Sequence, residues 1–412
     1  MIVLLRNPKV VKISLFITAI LFYACHNEFP LPEQKVEKAT EEFELIPDQY
    51  IVVLEDESVN ARLTESNNDI HECVKLRVMD LMNGIENKEE KIERVYIRNF
   101  LGFSARLNKE ELLVLSNKNG VKKIEQDKVI KLPTEPSSLG IPSLKKSKKD
   151  KEGDMIPYGV ARVGGPVKYK GKNVAFIMDT GIDLKHKDLR VKGAKGFNAF
   201  KTGQDGESLQ DYHGHGTHVA GILAAKLDGK GVAGVAAGAW VIPIKILNGD
   251  GKGSLSGFLE AIEYINEHGK CGDVVNLSIT APTSPTLDNA VLETSKKGIY
   301  FVLSAGNENI PAQYVSPSRV NGDYIFTVSA MDSEDNFTAF SNYGNPPVDW
   351  CAPGQTIYST WKGGLYEYNS GTSMAAPHVA GLVLLGGPEI GGYVKNDPDG
   401  DPDPIAVYKA PK

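Results

Sequence analysis

Two patterns of apolar spacing divide the chain. Between residues 48 and 132, short strand-like runs alternate with helical spacing. Tyr50-Ile51-Val52-Val53-Leu54 is rich in β-branched residues and reads as a strand. Residues 70–83 set Cys73, Leu76, Met79 and the pair Leu81-Met82 at helical spacing, which predicts an amphipathic helix with those residues on its buried stripe. Residues 92–107 read as two strands around Phe100-Leu101-Gly102, residues 109–115 as a second helix and residues 121–132 as a closing strand. From about residue 155 the pattern changes. Val174-Ala175-Phe176-Ile177-Met178 is continuously apolar, as in a parallel strand buried on both faces. Tyr300-Phe301-Val302-Leu303-Ser304 is another such run and ends in a tight turn. Two small-residue helical stretches follow Gly/His and Gly/Ser turns, at residues 213–225 and 370–381.

The β-α-β-β-α-β order of residues 48–132 is a ferredoxin-like α+β arrangement. In the longer part, Asp179 follows the buried run Val174–Met178. It stands at the carboxyl end of a central strand, where open α/β sheets form ligand crevices.

The chemistry concentrates in three segments. Ser370-Gly371-Thr372-Ser373-Met374-Ala375-Ala376-Pro377-His378-Val379-Ala380-Gly381 places a serine between small residues at a helix start. Free N–H groups and the helix dipole there stabilise developing negative charge. Gly371 leaves room for a substrate backbone. The second segment is Asp179-Thr180-Gly181-Ile182-Asp183, with two carboxylates to choose between, and the third is His213-Gly214-His215-Gly216-Thr217-His218, with three imidazoles. Each alone has a plain structural explanation: a capped helix, a turn former, a surface or metal histidine.

Together, Asp179-Thr180-Gly181, His215-Gly216-Thr217-His218 and Gly371-Thr372-Ser373-Met374-Ala375 resemble the signature blocks of the subtilisin-like serine proteases, in that family's Asp, His, Ser order. The resemblance spans residues 156–385 and implies a doubly wound parallel α/β sheet over 155–412. It implies Ser373 as nucleophile, His215 as base and Asp179 as the group that orients it, and it leaves Asp183, His213 and His218 outside the triad. Asn307, in Ser304-Ala305-Gly306-Asn307, takes the oxyanion-binding role by the same resemblance. An α/β-hydrolase would need Gly-x-Ser-x-Gly and would put its serine first; here the serine comes last and Ala375 stands for the second glycine. A non-catalytic binding module on the same fold is the opposing reading, and the filling of all these positions argues against it.

The resemblance reaches further. Asn276-Leu277-Ser278-Ile279-Thr280 corresponds to the strand that pairs with substrate, with Ser278 and Thr280 at the first specificity pocket and Val315 opposite. Relatives usually have glycine where Thr280 stands, so a narrower, more apolar pocket is expected. No cofactor is required for the chemistry. Asp188 and Asp228 match the positions that clasp a structural Ca²⁺ in calcium-dependent members, although Asp228-Gly229 is also an ordinary turn. Residues 48–132 are similar to the inhibitory propeptides of such proteases, and residues 133–154 would carry the processing site. The expected partners are protein or peptide substrates and the chain's own propeptide. Residues 48–132 acting as an inhibitor of other proteases is a third reading.

Charge excludes a class: 46 basic against 52 acidic residues give a net charge of −6, no basis for binding nucleic acid. The basic run Lys145-Lys146-Ser147-Lys148-Lys149-Asp150-Lys151 reads as solvated linker. Arg6, Lys9 and Lys12 precede an apolar stretch over residues 13–24 that is too short to span a membrane, as in a signal peptide over residues 1–24. Its end, Leu21-Phe22-Tyr23-Ala24-Cys25, resembles a bacterial lipoprotein signal, which would lipidate Cys25 and attach the chain to a membrane; ordinary secretion is the alternative, and both mean export. Residues 26–47 read as a tether. Cys271 and Cys351 are open to pairing or to buried thiols. The chain runs only a short way past the Ser373 helix, so a trimmed domain is expected there. Asn396-Asp397-Pro398-Asp399-Gly400-Asp401-Pro402-Asp403-Pro404 fits no standard calcium loop and reads as a rigid surface segment.

Overall fold

The structure, a computed structural model, describes residues 44–55, 70–133, 148–149 and 153–410, all within one unit that runs from Phe43 to Lys412. The expectations for residues 1–24, for Cys25 and for most of the 133–154 linker lie outside the described residues.

The N-terminal domain is built from β1 (Leu45–Leu54), α1 (Ile70–Leu81), β2 (Ile92–Tyr96), β3 (Gly102–Arg106), α2 (Lys109–Ser116) and β4 (Val121–Lys131). Its antiparallel sheet has the order β4-β1-β3-β2, the ferredoxin-like arrangement. Both faces of β1 are buried, which explains its unbroken apolar run. Val52 and Leu54 pack with the helices in the domain's own core, while Ile51 joins Tyr96 and Ile130 in the core of the following domain. The stripe expected on α1 is buried at Leu81 and Met82 and is otherwise corrected. The helix buries Val74, Val78 and Leu81, whereas Leu76 is 52% exposed and Cys73 and Met79 are only half-buried. Several apolar residues crowd this helix, and the geometry of the sheet beneath it selects the face.

The second domain contains β5 (Ala175–Asp179), α3 (His215–Ala224), β6 (Trp240–Lys245), β7 (Lys252–Ser254), α4 (Leu255–His268), β8 (Val274–Leu277), α5 (Pro285–Ser295), β9 (Tyr300–Ser304), β10 (Ile325–Met331), β11 (Val348–Pro353), β12 (Ile357–Trp361), β13 (Leu365–Asn369), α6 (Thr372–Leu384), β14 (Glu389–Tyr393) and β15 (Pro404–Val407). The main sheet runs β6-β5-β8-β9-β10-β11-β15 in parallel, with β14 antiparallel at one edge and the short strand Phe197–Asn198 at the other. Alternate residues of β5 serve opposite layers. Ala175 and Ile177 face the core shared with α3 and α6, and Phe176 and Met178 face the core shared with α4 and α5. The sheet is therefore doubly wound, and Asp179, Ser278 and Ala305 all lie at the carboxyl ends of neighbouring strands.

The residues after α6 extend this sheet. β15 pairs with β11 at Cys351 and Ile405, and Ile405, Ala406 and Val407 are buried. Residues 396–404 lie at the surface as expected for most of their length, but Asp403 is 1% exposed and accepts from the Ser329 hydroxyl, which corrects the reading there. The apolar strand that follows draws it under the sheet edge. Cys271 is exposed and Cys351 buried, and both thiols are free.

The two domains are joined by a strand. β7 pairs antiparallel with β4, with Lys252 opposite Lys131, Gly253 opposite Ile130 and Ser254 opposite Val129. The N-terminal domain also meets the two helices of the second domain that face it. Asp127 accepts from the Ser256 amide near the start of α4 at 3.0 Å, and Glu125 accepts from the Thr286 hydroxyl near the start of α5 at 2.8 Å, where carboxylates complement helix dipoles. Arg94 pairs with Glu260 at 2.6 Å, and Glu263 accepts from the amides of Ile97 and Arg98 at 2.8 and 2.7 Å.

Candidate active site

Asp179, the last residue of β5, has no exposed surface, and its carboxylate receives the Thr180 amide at 2.7 Å. The remaining partner is an imidazole: His215 Nδ1 lies 2.8 and 2.9 Å from the two carboxylate oxygens. A buried charge needs such a partner. His215 opens α3, and the turn before it requires Gly214, whose φ is 117° and whose missing Cβ would overlap the Trp361 ring.

A second buried carboxylate fixes this pair. Asp211 accepts from the amides of His213, Gly214 and Thr217 at 2.9, 2.7 and 2.9 Å, and from the hydroxyls of Thr217 and Thr180. The Thr180 hydroxyl in turn accepts from the Gly216 amide at 3.0 Å. Asp211 thus ties the end of β5 to the first turn of α3. Sequence reasoning missed it, because an aspartate just before a helix reads as an ordinary cap.

The competing residues fall elsewhere. Asp183 accepts from Lys185, Gln210 and Gly364, as a turn residue does. His218 has its Nε2 at 3.1 Å from the carbonyls of Ile357 and Glu367, and burial pushes its pKa down to about 3. His213 lines the same cavity as His215, but the Asp179 carboxylate bonds to His215.

Ser373 is the second residue of α6 and 3% exposed. Pro377 lies inside this helix and has no N–H for the Ser373 carbonyl. Ser278 fills the gap, its hydroxyl donating to that carbonyl at 2.8 Å and accepting from Asn276 Nδ2 at 2.8 Å. The Ser373 hydroxyl donates to the Ser278 carbonyl at 2.9 Å. Ser278 therefore grips the Ser373 backbone, and Asn276, given no role of its own by the sequence, holds Ser278. Asn307 Oδ1 is fixed by the Thr372 amide and hydroxyl, both at 2.9 Å, which turns Nδ2 the other way. A Cβ on Gly371, whose φ is 149°, would sit 3.1 Å from Asn307 Nδ2 and 3.6 Å from the Ser373 nitrogen. The missing side chain leaves open the space these two donors share.

His213, His215, Asn307 and Ser373 line one cavity of about 300 Å³ with Lys131, Leu132 and Pro133 of the N-terminal domain. The Leu132 amide donates to the Gly251 carbonyl at 2.9 Å, continuing the β4–β7 pairing toward Ser373. Thr280 and Val315 lie outside this cavity's lining and flank the backbone bridge between Ala281 and Ser316.

Asp188 presents a different problem. Its Oδ2 accepts from the Val232 amide at 2.9 Å and the Tyr366 hydroxyl at 3.3 Å, while its buried Oδ1 has no partner. Burial, with Asp228 and Asp154 adding, pushes its pKa up to about 6. A cation is one species that would relieve that oxygen. Among the described residues, however, no three His, Cys, Asp or Glu side chains form a metal-binding group.

Comparison with known proteins identifies the family. Residues 171–386 match the model of the subtilase family, peptidase S8, and residues 49–133 match that of peptidase inhibitor I9. Subtilisin-like protease 6 of Trichophyton equinum is 32% identical over 372 residues, covering 84% of each chain. Alkaline serine exoprotease A of Vibrio alginolyticus is 31% identical over 350 residues, covering 82% of this chain and 60% of its own. A crystal structure of a cold-adapted subtilisin-like serine proteinase shares 32% identity, with a TM-score of 0.49, over 55% of this chain and 83% of its own. With about half of its length matched by the family model, and relatives of this identity along most of its length, the chain belongs to the subtilases, serine proteases of the subtilisin-like fold, here with an inhibitor-type domain at the N-terminus.

Proposed function

We propose that the chain is an exported serine endopeptidase, made as a zymogen that processes itself, with Asp179, His215 and Ser373 as its triad. The observation that carries this reading is the buried Asp179–His215 contact at 2.8 Å, opening on a cavity shared with Ser373 and Asn307. In this mechanism the Ser373 hydroxyl leaves the Ser278 carbonyl and attacks the scissile carbonyl. His215 Nε2 takes its proton, while the Nδ1–H stays on Asp179, which stabilises the imidazolium. The developing oxyanion lies in the gap over Gly371, where Asn307 Nδ2 and the Ser373 amide donate. The imidazolium protonates the leaving amine, and water hydrolyses the acyl-enzyme by the same route.

The N-terminal domain is read as the inhibitor of this site. Its last described residues, Lys131–Pro133, occupy the cavity wall, and the β4–β7 pairing presents them as an extended peptide. The processing bond belongs to residues 133–154, and export is assigned to residues 1–24, with Cys25 as the lipidation site.

Ser373→Ala is expected to accumulate as the unprocessed chain. N-terminal mass mapping checks this together with export: the purified variant should begin at or near Cys25, with a diacylglyceryl adduct if lipidated, and should retain residues 48–132. Release of the mature fragment without a helper protease, or an N-terminus at Met1 in exported material, would count against the respective part.

Asn307→Ala is expected to lower kcat with little change in KM, because the amide meets charge only in the transition state. The loss known for such a donor in this family is about 10²–10³ in kcat. An unchanged kcat removes the assignment.

Thr280 and Val315 are assigned to the walls of the first specificity pocket and should favour small or medium apolar residues before the cut. Each misfit methylene is worth about 1–3 kcal/mol. Cleavage of a peptide library mainly after basic or large aromatic residues, unaltered by Thr280→Gly, overturns this.

Asp188 and Asp228 are proposed to hold a structural Ca²⁺. A folded-state pKa raised to about 6 means that ionised Asp188 costs stability at neutral pH, and that this cost disappears as pH falls through that value. A bound cation removes the same cost, and at a hundredfold excess over Kd it stabilises by about 2.7 kcal/mol. EDTA should therefore lower Tm, and Asp188→Asn should shrink that effect. An equal response to EDTA in this variant and its parent refutes the site.

A further inference from the structure

Asn307 lines the cavity from the loop after β9, and its side chain is placed only as well as the backbone that carries it. Residues 305–310 reverse sharply there, with Gly306 at φ 110° and Asn309 at φ 54°. Amides and carbonyls in such a turn need partners from elsewhere, because a buried polar group without one is costly. One residue of another segment supplies most of them. Asn342, between β10 and β11, has no exposed surface. Its Oδ1 accepts from the amides of Glu308 and Ile310, both at 3.1 Å. Its Nδ2 donates to the Ala305 carbonyl at 2.9 Å and to Glu308 Oε2 at 2.8 Å. Its own amide donates to the Gly306 carbonyl at 3.0 Å. The side-chain amide is thus fully used, and all of it serves residues 305–310.

Asn342 is itself anchored to the sheet. The neighbouring Ser341 hydroxyl accepts from the Ala330 amide of β10 at 3.0 Å and donates to the Asn342 carbonyl at 2.9 Å. The same segment adds two backbone bonds to the loop, from the Asn309 amide to the Phe340 carbonyl at 2.9 Å and from the Tyr343 amide to the Ile310 carbonyl at 3.2 Å. A Cβ on Gly306 would overlap Asn342 Nδ2, so the glycine is what lets the amide approach this closely. From the other side, Thr372 holds Asn307 Oδ1, and its hydroxyl accepts from the Gly306 amide at 3.1 Å. Thr372 therefore sets how the Asn307 amide is turned, and Asn342 sets the backbone from which it projects. With the first anchor alone, Asn307 could keep its bonds to Thr372 and still carry Nδ2 away from a developing oxyanion.

We infer that Asn342 is the positioning residue of the oxyanion donor, an inference that rests on the reading of Asn307 as that donor. Asn342 lies outside the cavity's lining and meets neither substrate nor reacting atoms. Its influence on turnover runs through Asn307, whose worth depends on where Nδ2 stands when the charge develops. An asparagine that merely held a loop would behave differently. Its loss would lower stability, and any loss of activity would not depend on whether Asn307 is present.

The test is a double-mutant cycle on peptide hydrolysis. Full-length chains are matured by an affinity-tagged parent enzyme that is then removed, so that slow self-processing does not hide the comparison. Ser373→Ala treated in the same way gives the blank. Asn342→Asp keeps an acceptor for the two amides but loses the donor to Ala305 and Glu308, which shifts the loop without emptying the site. Alone, it should lower kcat about tenfold or more with KM nearly unchanged, since small misplacements at a reacting centre carry such costs. Added to Asn307→Ala, it should lower kcat less than about twofold, because the group it positions is gone. Should Asn342→Asp fail to fold, Glu308→Ala removes a single bond of the network and carries the same cycle, with a smaller loss that again vanishes beside Asn307→Ala. An equal factor lost in both backgrounds overturns the inference and leaves the role of Asn307 standing. So does an Asn342→Asp enzyme with the parent's kcat. An Asn307→Ala enzyme with the parent's kcat instead removes the reading beneath, and the inference with it.

Discussion

A carboxylate with no exposed surface at the end of a central strand sets the terms for the rest of this molecule. Asp179 cannot stay ionised there unless its oxygens are met, and the Thr180 amide and His215 meet them. That requirement fixes where α3 begins and how closely it approaches β5. Asp211 makes the approach rigid by gathering the strand end and the helix start onto one second carboxylate. Ser373 reaches the same cavity by a different device. The proline in α6 frees a carbonyl, and a serine from β8's end takes hold of it. These three groups thus stand on regular elements, each locked by neighbours, as the proposed site would demand.

The same cavity explains why the N-terminal domain sits where it does. Its sheet gains β7 as an extra strand, so the edge that would otherwise be open to a peptide is already paired. Asp127 and Glu125 complement the starts of α4 and α5, and Ile51, Tyr96 and Ile130 complete the apolar layer over those helices. The inhibitor-type domain therefore covers a hydrophobic face and two helix ends at once. Its hold is distributed, and it does not hang on the few residues in the cleft.

Much of this could be read from the sequence, and the parts that could not share a cause. The strands, the ferredoxin-like order and the residues of the three signature blocks are local: each depends on a run of neighbouring residues. The first turns of the α1 stripe are not, because Cys73, Leu76 and Met79 offer as good a helical spacing to Leu81 as Val74 and Val78 do, and only the sheet beneath decides between them. Asp211 looks like any helix cap until its hydroxyl partners from β5 and α3 arrive. Asn276 matters through a carbonyl freed a hundred residues away, which no local pattern records. Asp403 sits in a segment whose composition says surface, and its burial follows from the strand just beyond it.

Buried carboxylates offer a way to separate scaffold from site in this chain. Asp211 is saturated by donors from two elements, and Asp127 by the Ser256 and Lys128 amides and the Gln49 side chain. Such groups have no oxygen left over, so their work is to hold backbone. Asp179 is satisfied too, but in part by an imidazole rather than by backbone amides alone. Asp188 differs from all of these in keeping a buried oxygen without a donor. An unmatched buried oxygen costs about as much as an ordinary hydrogen bond contributes, or more, so that oxygen holds no backbone and weakens the place where it lies.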